Sequence, residues 1–478
     1  MRTAIGPTLA QASVALVDPH DCTDDPDKLA ILEAVHLALV RRGADGRWEP
    51  ALAERWSVSD DARVWTFELK PGVECHDGTP ADAEAAAWSI ARMARPDIGA
   101  TLGAPAVWAQ YLAGARIEAA SRSTVRIALD RPMADLLDVL GSGYVLSPLS
   151  GKGLPVGCGA YRIEAYDAGD RLVLQADPSQ PGGGVASPRL RFLQVDSPAE
   201  RAAALKAGTV QAATQLDRAG AALLAADPAV TVVEHLVPTA IICLFNAARG
   251  PTRDARVRRA LNLALDREAL VSGVLHGGGR PLSGFVSPVH LGAASASGVA
   301  GADLDAASRL LAEAGYRSGL ELEVTCPTSL PDEAEALTAA VAAQLAPLGV
   351  TFRVERVEDR VEYANRVRLK RIGDLCVFDS SPMSTFRVLH EKIDSRVAGS
   401  WWQGFRNPAV EALLDRGRTT VDDAGREAIY RECYRLLQDD PPWLYLYNHT
   451  RFVGLAGRHP DWRMRADGIV DASALPAM

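Results

Sequence analysis

The chain has 478 residues, of which 48% are hydrophobic and 23% are charged, and its formal net charge is −9. This composition is typical of a globular protein, and the length allows two or three packed units. The acidic balance argues against nucleic-acid binding, which requires a basic surface, and against a polybasic membrane anchor. No apolar run reaches the roughly 18–20 residues of a membrane-spanning helix. We therefore expect no nucleic-acid partner and no membrane segment.

Strand-like and helix-like patterns alternate along the whole chain, which indicates a mixed α/β architecture. The chain opens with predicted strands at residues 3–6 and 13–18. A helix is predicted over residues 28–41, because apolar residues recur there at helical spacing. The later elements follow in the same alternating order, with strands at 116–119, 124–129, 160–166, 171–176, 190–196, 211–214, 241–246, 320–326, 350–357 and 374–378, and helices at 135–140, 199–207, 254–270, 303–314, 333–345 and 410–416.

A hairpin followed by a capped helix is the most distinctive local pattern. The alternating run at residues 64–69 follows residues 56–58 after an Asp-Asp turn, as in a β-hairpin. A second turn leads to Thr79, which we predict to cap a helix over residues 81–93, with Pro80 at its first position.

The seven cysteines are odd in number, are scattered along the chain and form no CxxC pair. Such a pattern fits neither a zinc site nor a disulfide framework. We therefore predict that most of these cysteines are small buried hydrophobic residues.

The N-terminal segment bears on the compartment. Its first sixteen residues contain no continuous apolar stretch followed by a small-residue cleavage site. We expect a periplasmic protein if this is a trimmed mature chain, and a cytoplasmic protein if the chain is complete.

Three segments carry a family resemblance. They are WEPALAERWSVSDDARVWTFELKPGVECHDGTP at residues 48–80, GCGAYRIEAYDAGDRLVL at 157–174 and DARVRRALNLALDREAL at 254–270. In residue order and spacing they closely resemble the peptide- and nickel-class solute-binding proteins of ABC importers, known as family 5. One departure is Cys75, which stands where that family usually has an aromatic residue.

The resemblance implies a two-lobed periplasmic-binding-protein-like α/β fold of type II, cluster C, with an inserted subdomain and an interlobe ligand cleft. The chain would cross between lobes near Gly157 and again at residues 445–448. The implied divisions are lobe I over 1–36, 157–246 and 448–478, an inserted subdomain over 37–156, and lobe II over 247–447.

The function that the resemblance implies is capture of a small organic solute and its delivery to an ABC importer. The ligand would be peptide-like, or an acidic compound derived from an amino acid or a sugar. We expect a monomer that uses no cofactor and no metal, acts without catalysis, and has permease subunits as partners if it is exported.

Peptide-binding members of the family hold the ligand's ammonium group with the first Asp of a W-x-x-D-x-x-[DE]-P motif. The corresponding stretch here is LCVFDSSP at residues 375–382. Aligned on the proline, Phe378 falls where that Asp should be and Ser381 replaces the second acid, while Asp379 is one residue out of register. We therefore expect an anionic or neutral ligand, and an ordinary oligopeptide is disfavoured.

Further candidate ligand-binding residues lie around this stretch and elsewhere. Arg387 could pair with a carboxylate or phosphate in a bidentate way, or it could be an exposed helix charge. Of the adjacent indoles Trp401 and Trp402, at most one would line the ligand site, because neighbours on an extended segment point in opposite directions. The remaining candidates that the resemblance suggests are Ser380, Trp108, and His20 and Cys22 on a loop near the N-terminus.

The alternative function is a cytoplasmic, hydrolase- or amidase-like enzyme built on the same scaffold. Cys22 with His20 would then be the first pair to suspect, since a thiolate beside an imidazole is an activated nucleophile. HGGG at residues 276–279 resembles a hydrolase oxyanion loop, but the chain has no GxSxG nucleophile motif. The histidines show no HxH or HxxxH spacing that would indicate a metal site.

Overall fold

The computed structural model of the protein describes residues 6–99, 106–150, 153–178, 185–293, 301–329 and 331–475. The chain divides into two compact units. The first unit comprises Met1–His235 and Arg451–Met478, and the second unit comprises Leu236–Thr450. No helix within the described ranges is both long and apolar enough to cross a membrane.

The chain passes into the second unit after His235 and returns to the first after Thr450. The return lies close to the predicted crossing at residues 445–448. Gly157 lies inside the first unit, and the predicted crossings between lobes stay predictions. The expected division of the first unit into lobe I and a subdomain over residues 37–156 stays a prediction.

Strands and helices alternate throughout, as predicted. The strands are β1 (Thr8–Gln11), β2 (Leu37–Ala38), β3 (Val40–Arg42), β4 (Trp48–Pro50), β5 (Ala53–Val58), β6 (Val64–Leu69), β7 (Arg116–Ser121), β8 (Thr124–Ala128), β9 (Tyr144–Val145), β10 (Tyr161–Asp167), β11 (Arg171–Ala176), β12 (Arg189–Gln194), β13 (Ala212–Leu216), β14 (Val230–Phe245), β15 (Gly279–Pro281), β16 (Leu320–Pro327), β17 (Val350–Val357), β18 (Leu375–Ser380) and β19 (Trp443–Ala456). The helices are α1 (Pro26–Val35), α2 (Ala83–Met93), α3 (Ala109–Leu112), α4 (Leu137–Leu140), α5 (Pro198–Lys206), α6 (Arg218–Ala225), α7 (Ala255–Leu263), α8 (Arg267–Val274), α9 (Leu304–Glu313), α10 (Ala334–Leu345), α11 (Arg360–Arg368), α12 (Thr385–Lys392), α13 (Pro408–Thr419) and α14 (Asp423–Asp439). Short 3-10 helices cover Pro251–Arg253, Ala346–Leu348 and Ala472–Ala474.

In the first unit, strands of the larger sheet follow the order β10-β11-β12-β1-β13-β19. Strand β1 is parallel to β12 and β13, whereas β10, β11 and β12 pair antiparallel. A smaller antiparallel sheet has the order β5-β6-β8-β7. Apolar residues of α1, such as Ile31, share one buried core with Leu9 of β1 and Phe192 of β12, so burial of this helix face helps to hold the larger sheet together.

In the second unit, the strand order is β14-β18-β16-β17, with β14 antiparallel to β18 and β16 parallel to both of its neighbours. The core packs Val257 and Leu261 of α7 and Leu337 of α10 against Leu322 and Leu375 of the sheet. Strand β18 lies between β14 and β16, so the segment that follows it begins inside this sheet.

The predicted hairpin is confirmed, because β5 and β6 pair antiparallel, with Trp56 opposite Phe67. The predicted helix cap is wrong. Asp82 caps α2, and its Oδ1 accepts hydrogen bonds from the backbone N–H groups of Glu84 and Ala85 at 3.1 and 3.2 Å. Thr79 instead belongs to the preceding turn, where its carbonyl oxygen accepts a hydrogen bond from the Cys75 N–H.

The N-terminal elements also differ from expectation. The strand is β1 at Thr8–Gln11 and not at residues 13–18, and residues 3–5 of the other predicted strand lie outside the described residues. The predicted helix over 28–41 ends at Val35. Its expected last turn is extended because Leu37 pairs with Val145 of β9, a long-range contact that overrides helical spacing.

The expectation that the cysteines form no disulfide is wrong for two of the seven residues. Cys75 and Cys158 form a disulfide across a sequence separation of 83 residues. The bond fastens the turn after β6 to the segment that precedes β10. Two hydrogen bonds reinforce this junction, because the His76 N–H donates to the Gly157 carbonyl at 2.9 Å and His76 Nε2 donates to the Gly159 carbonyl at 3.0 Å.

The other five cysteines are free and buried, as predicted: Cys22, Cys243, Cys326, Cys376 and Cys433. Burial raises the pKa of the thiols of Cys22, Cys376 and Cys433 to about 12, and raises the pKa of Cys243 and Cys326 as well. Because the thiolate is the reactive form, these residues are chemically inert at neutral pH.

Gly159 lies where only glycine fits. A Cβ atom at this position would lie 2.6 Å from both the Ala34 carbonyl oxygen and the His36 nitrogen, which belong to the end of α1. We predict that Gly159→Ala lowers the free energy of unfolding by about 3 kcal/mol, because overpacking displaces this helix end. Chemical denaturation measures the change. The control is Gly273→Ala in α8, where an added Cβ atom would meet nothing within 4 Å beyond the helix's own backbone. This substitution should leave stability unchanged or raise it by roughly 0.5–1 kcal/mol. Equal effects of the two substitutions would contradict the prediction.

Candidate functional site

His20 has both of its ring nitrogens engaged within the first unit. Nε2 donates to the Tyr144 carbonyl at 3.0 Å, and Nδ1 accepts from the Arg92 guanidinium at 2.9 Å. Arg92 also pairs with Asp18. Burial lowers the pKa of His20 to about 4. The ring is therefore neutral at pH 7 and is held in one tautomer.

Trp108 and Cys22 share the buried surroundings of this loop. The Trp108 side chain is fully buried, and its Nε1 donates to the His20 carbonyl at 2.8 Å. Cys22 packs in the α1 core, and its thiol pKa is about 12 because of burial. These features argue against an activated Cys22–His20 nucleophile, which would need a lowered thiol pKa. A ligand-binding role for His20, Cys22 or Trp108 stays a prediction.

The remaining candidates fall in the second unit, around the end of β18 and the beginning of α12. Ser384 caps α12, with its Oγ accepting from the Arg387 N–H at 3.2 Å. Ser380 is buried, and its Oγ accepts from Lys392 Nζ at 3.1 Å. Lys392 Nζ also lies 3.4 Å from the Asp379 carbonyl oxygen. Asp379, Ser380 and Ser381 are consecutive residues at the end of β18, and the segment they begin leads into α12.

All eight residues of α12, including its four ionisable ones, are buried. Arg387 is 6% exposed, and its Nε donates to Glu391 Oε1 at 2.9 Å. The interpretation of Arg387 as an exposed helix charge is therefore wrong. Removing either partner of this buried ion pair would leave an uncompensated charge away from water, which is costly.

Aromatic side chains pack beneath the same segment. Phe378, at the position where the resemblance expects a carboxylate, is buried with its ring 5.0 Å from that of Trp401. Trp401 is 8% exposed and belongs to this packing. Trp402 is partly exposed, and its Nε1 donates to the Phe405 carbonyl at 2.6 Å. The position that would hold an amine-binding Asp is thus apolar.

The ionisable residues of α12 form a polar cluster with charged residues from α13 and from the loop after α12. The Arg418 guanidinium donates to His390 Nδ1 at 2.7 Å, and it lies 3.8 Å from Asp394. Burial alone would raise the pKa of Asp394, but hydrogen bonds from Arg396 outweigh this effect and lower it. The cluster therefore keeps this carboxylate ionised.

Sequence reasoning missed His290, Glu391 and Lys392. Glu391 and Lys392 lie in TFRVLHEK, where Arg387, His390 and Glu391 have the i, i+3, i+4 spacing of one helix face, which does not indicate burial, and His290 carried no sequence signal. Within the described ranges, no group of three or more His, Cys, Asp or Glu residues could hold a metal ion.

Comparisons with known proteins identify the class of this mixed α/β protein. A profile described as bacterial extracellular solute-binding proteins, family 5 Middle, matches residues 47–384. The chain belongs to the family 5 solute-binding proteins. It accordingly has a binding role for an ABC importer.

Particular relatives agree with this assignment. The chain is 24% identical to the probable D,D-dipeptide-binding periplasmic protein DdpA of Escherichia coli over 428 residues, covering 84% of this chain and 79% of that protein. It is 25% identical to the glutathione-binding protein GsiB of Salmonella paratyphi A over 449 residues, covering 90% of this chain and 86% of that protein. The solved structure of HbpA2 from Haemophilus parasuis superposes with a TM-score of 0.82 at 21% identity, covering 97% of each chain. This likeness confirms the predicted fold class.

Proposed function

We propose that this protein binds a small anionic solute, such as an acidic peptide-like compound or an acidic derivative of an amino acid or sugar, for delivery to an ABC importer. The residues proposed to recognise the solute lie on the segment from Asp379 to Arg387. The observation that carries the proposal is Phe378, buried against Trp401 at the position where the resemblance expects the amine-binding carboxylate.

The physical argument rests on charge. A buried ammonium group without a carboxylate partner is costly, so an apolar Phe378 disfavours capture of a free amine at that position. The cations Arg387 and Lys392 are both buried on α12, directly after the segment. Buried guanidinium and ammonium groups bind carboxylates and phosphates strongly. The relative GsiB is named for glutathione, a peptide with two carboxylates, and this supports an acidic ligand.

The protein acts in this proposal without catalysis. The raised thiol pKa of Cys22 and the hydrogen-bonded ring of His20 support this part of the proposal. In this pair the thiol is not activated as a nucleophile, and the imidazole is already engaged elsewhere. Delivery would follow from docking of the loaded protein on permease subunits.

Thermal-shift titrations test the ligand class. One series uses sugar phosphates and acidic amino-acid conjugates without a free amine, and the other uses di- and tripeptides with uncharged side chains and free amines. Glutathione, which carries two carboxylates as well as a free amine, is titrated separately. We expect stabilisation by members of the acidic series, of about 2.7 kcal/mol at a hundredfold excess over the dissociation constant. The double variant Arg387→Met/Glu391→Gln, which removes a buried pair without leaving a lone charge, should abolish that stabilisation.

Arg435→Met is the matched control, because Arg435 is an exposed arginine paired with Glu432 on α14. It should leave the titrations unchanged. Stabilisation by free-amine peptides that disappears in Asp379→Asn would refute the proposed ligand class, since it would show that Asp379 takes over the amine-binding role.

A further inference from the structure

The segment from Asp379 to Arg387 is supported by a neighbouring loop at residues 282–293, which no sequence motif marked as functional. In this loop, His290 is 5% exposed. Its Nε2 lies 2.8 Å from the carbonyl oxygen of Pro382, in the middle of the segment. A carbonyl oxygen can only accept, so Nε2 carries the proton and donates it.

A second hydrogen bond joins the same two pieces of chain. The Thr385 hydroxyl, in the first turn of α12, donates to the Leu291 carbonyl at 2.7 Å. Leu291 directly follows His290, and Thr385 lies three residues after Pro382. The two bonds together fix the loop and the segment in one register.

The loop is itself anchored on α14. Phe285 packs against Tyr434 with a ring-centroid distance of 5.8 Å, and Ser283 Oγ lies 2.8 Å from the Tyr434 hydroxyl. Gly292 has φ of +77°, and a Cβ atom there would lie 2.5 Å from the Cβ of Tyr430. Only glycine permits this approach, so the loop lies directly on the helix at both of its ends.

The turn that carries His290 is closed by its own backbone, because the His290 N–H donates to the Ser287 carbonyl at 3.0 Å. Nδ1 lies 3.2 Å from the same oxygen, but with the proton on Nε2 it presents only a lone pair and donates no hydrogen bond there. The backbone of this turn is thus held in place. Its Nε2–H donates to the Pro382 carbonyl, so the imidazole acts as a strut that links the loop on α14 to the segment.

We propose that His290 is a positioning residue for solute binding: it holds the Pro382 carbonyl, and through it the segment from Asp379 to Arg387, in the geometry that the ligand requires. This inference rests on the proposed function for its consequence in binding. The contact by which His290 holds the segment is tested separately from ligand binding. Binding sites that are displaced by about 1 Å lose affinity, so small losses of support have large effects.

A pair of amide variants separates positioning from general stability. His290→Gln places an amide donor where Nε2 stands and can still reach Pro382, whereas His290→Asn offers the same amide only near the position of Nδ1. Hydrogen–deuterium exchange is followed in a peptide that covers residues 380–387. We expect His290→Asn to raise exchange in this peptide about tenfold, and His290→Gln to stay within about twofold of the parent.

Two further variants complete the exchange experiment. Thr385→Val removes the second bond and should raise exchange in the same peptide. Val341→Ala, in the buried core of α10, lowers thermal stability without touching the loop and should leave this peptide unchanged. Equal exchange in the Asn and Gln variants, or an increase spread evenly over the second unit, would overturn the proposal.

Glutathione binding by calorimetry supplies the functional readout. The Asn variant should bind glutathione at least tenfold more weakly than the parent, and the Gln variant should bind it within about threefold. If the parent binds neither glutathione nor any acidic compound, the proposed ligand class fails, and the exchange experiment still decides whether His290 is the strut. If the parent binds glutathione and both variants bind it equally, the positioning role is refuted.

Discussion

Removing the Cys75–Cys158 disulfide should lower the free energy of unfolding by about 4 kcal/mol. The bond closes a long loop, with a sequence separation of 83 residues, and cross-links of this size restrict the unfolded chain by roughly that amount. The double variant Cys75→Ala/Cys158→Ala, measured by chemical denaturation, tests the effect. Protein made in a reducing cytoplasm should show the same loss until it is oxidised, since disulfides persist only under oxidising conditions.

Cys433→Ala is the matched control for the disulfide prediction. Cys433 is fully buried and free, so this substitution removes a thiol without removing a cross-link. We expect the substitution to cost about 1 kcal/mol through lost packing, and we expect this difference from the parent to be the same with and without dithiothreitol. A parent protein whose stability does not change on reduction would show that the cross-link adds nothing.

Acidification from pH 7.5 to 5.5 should weaken the folded protein through three buried histidines. Burial lowers the pKa of His20 and His235 to about 4 and that of His36 to about 3. Each stays neutral when folded but binds a proton when unfolded below pH 6.5, so its stabilising contribution is full above that pH and is lost progressively below it. Over this interval each histidine removes about 1.4 kcal/mol, or about 4 kcal/mol together.

Buried acids act in the opposite sense. Burial raises the pKa of Asp27 to about 6, so this residue gains a proton in the folded state and offsets part of the loss. The test therefore compares variants with the parent at both pH values. His36→Gln should flatten the pH dependence by about 1.4 kcal/mol. His459→Gln is the control, since the structure gives that histidine a partly exposed position; a slope unchanged by His36→Gln would contradict the assignment.

The elements that local chemistry determines were predictable from the sequence. Alternating residues predicted the β5–β6 hairpin. The single helix predicted over 254–270 is wrong in one respect, because Asp266 caps a second helix and divides the segment into α7 and α8. The end of α1 was not predictable, because Leu37 and Ala38 take their conformation from pairing with β9, more than a hundred residues away. Helical spacing carries no information about such a partner.

The disulfide and the buried helix were missed for related reasons. Cysteine spacing alone cannot pair Cys75 with Cys158. One interpretation of Arg387 was an exposed helix charge, whereas every residue of α12 is buried. Burial of Arg387 and Glu391 depends on what surrounds α12, and a charge pattern within eight residues cannot show it.

The native cysteines are inaccessible, so the protein is convenient to label at an introduced cysteine. Two cysteines are held in a disulfide, and the other five are at most 6% exposed. A cysteine introduced at Leu149, which is 78% exposed, would therefore be the one thiol that a maleimide dye reaches readily. A fluorescent reporter could be attached at a single chosen position while every native cysteine stays in place.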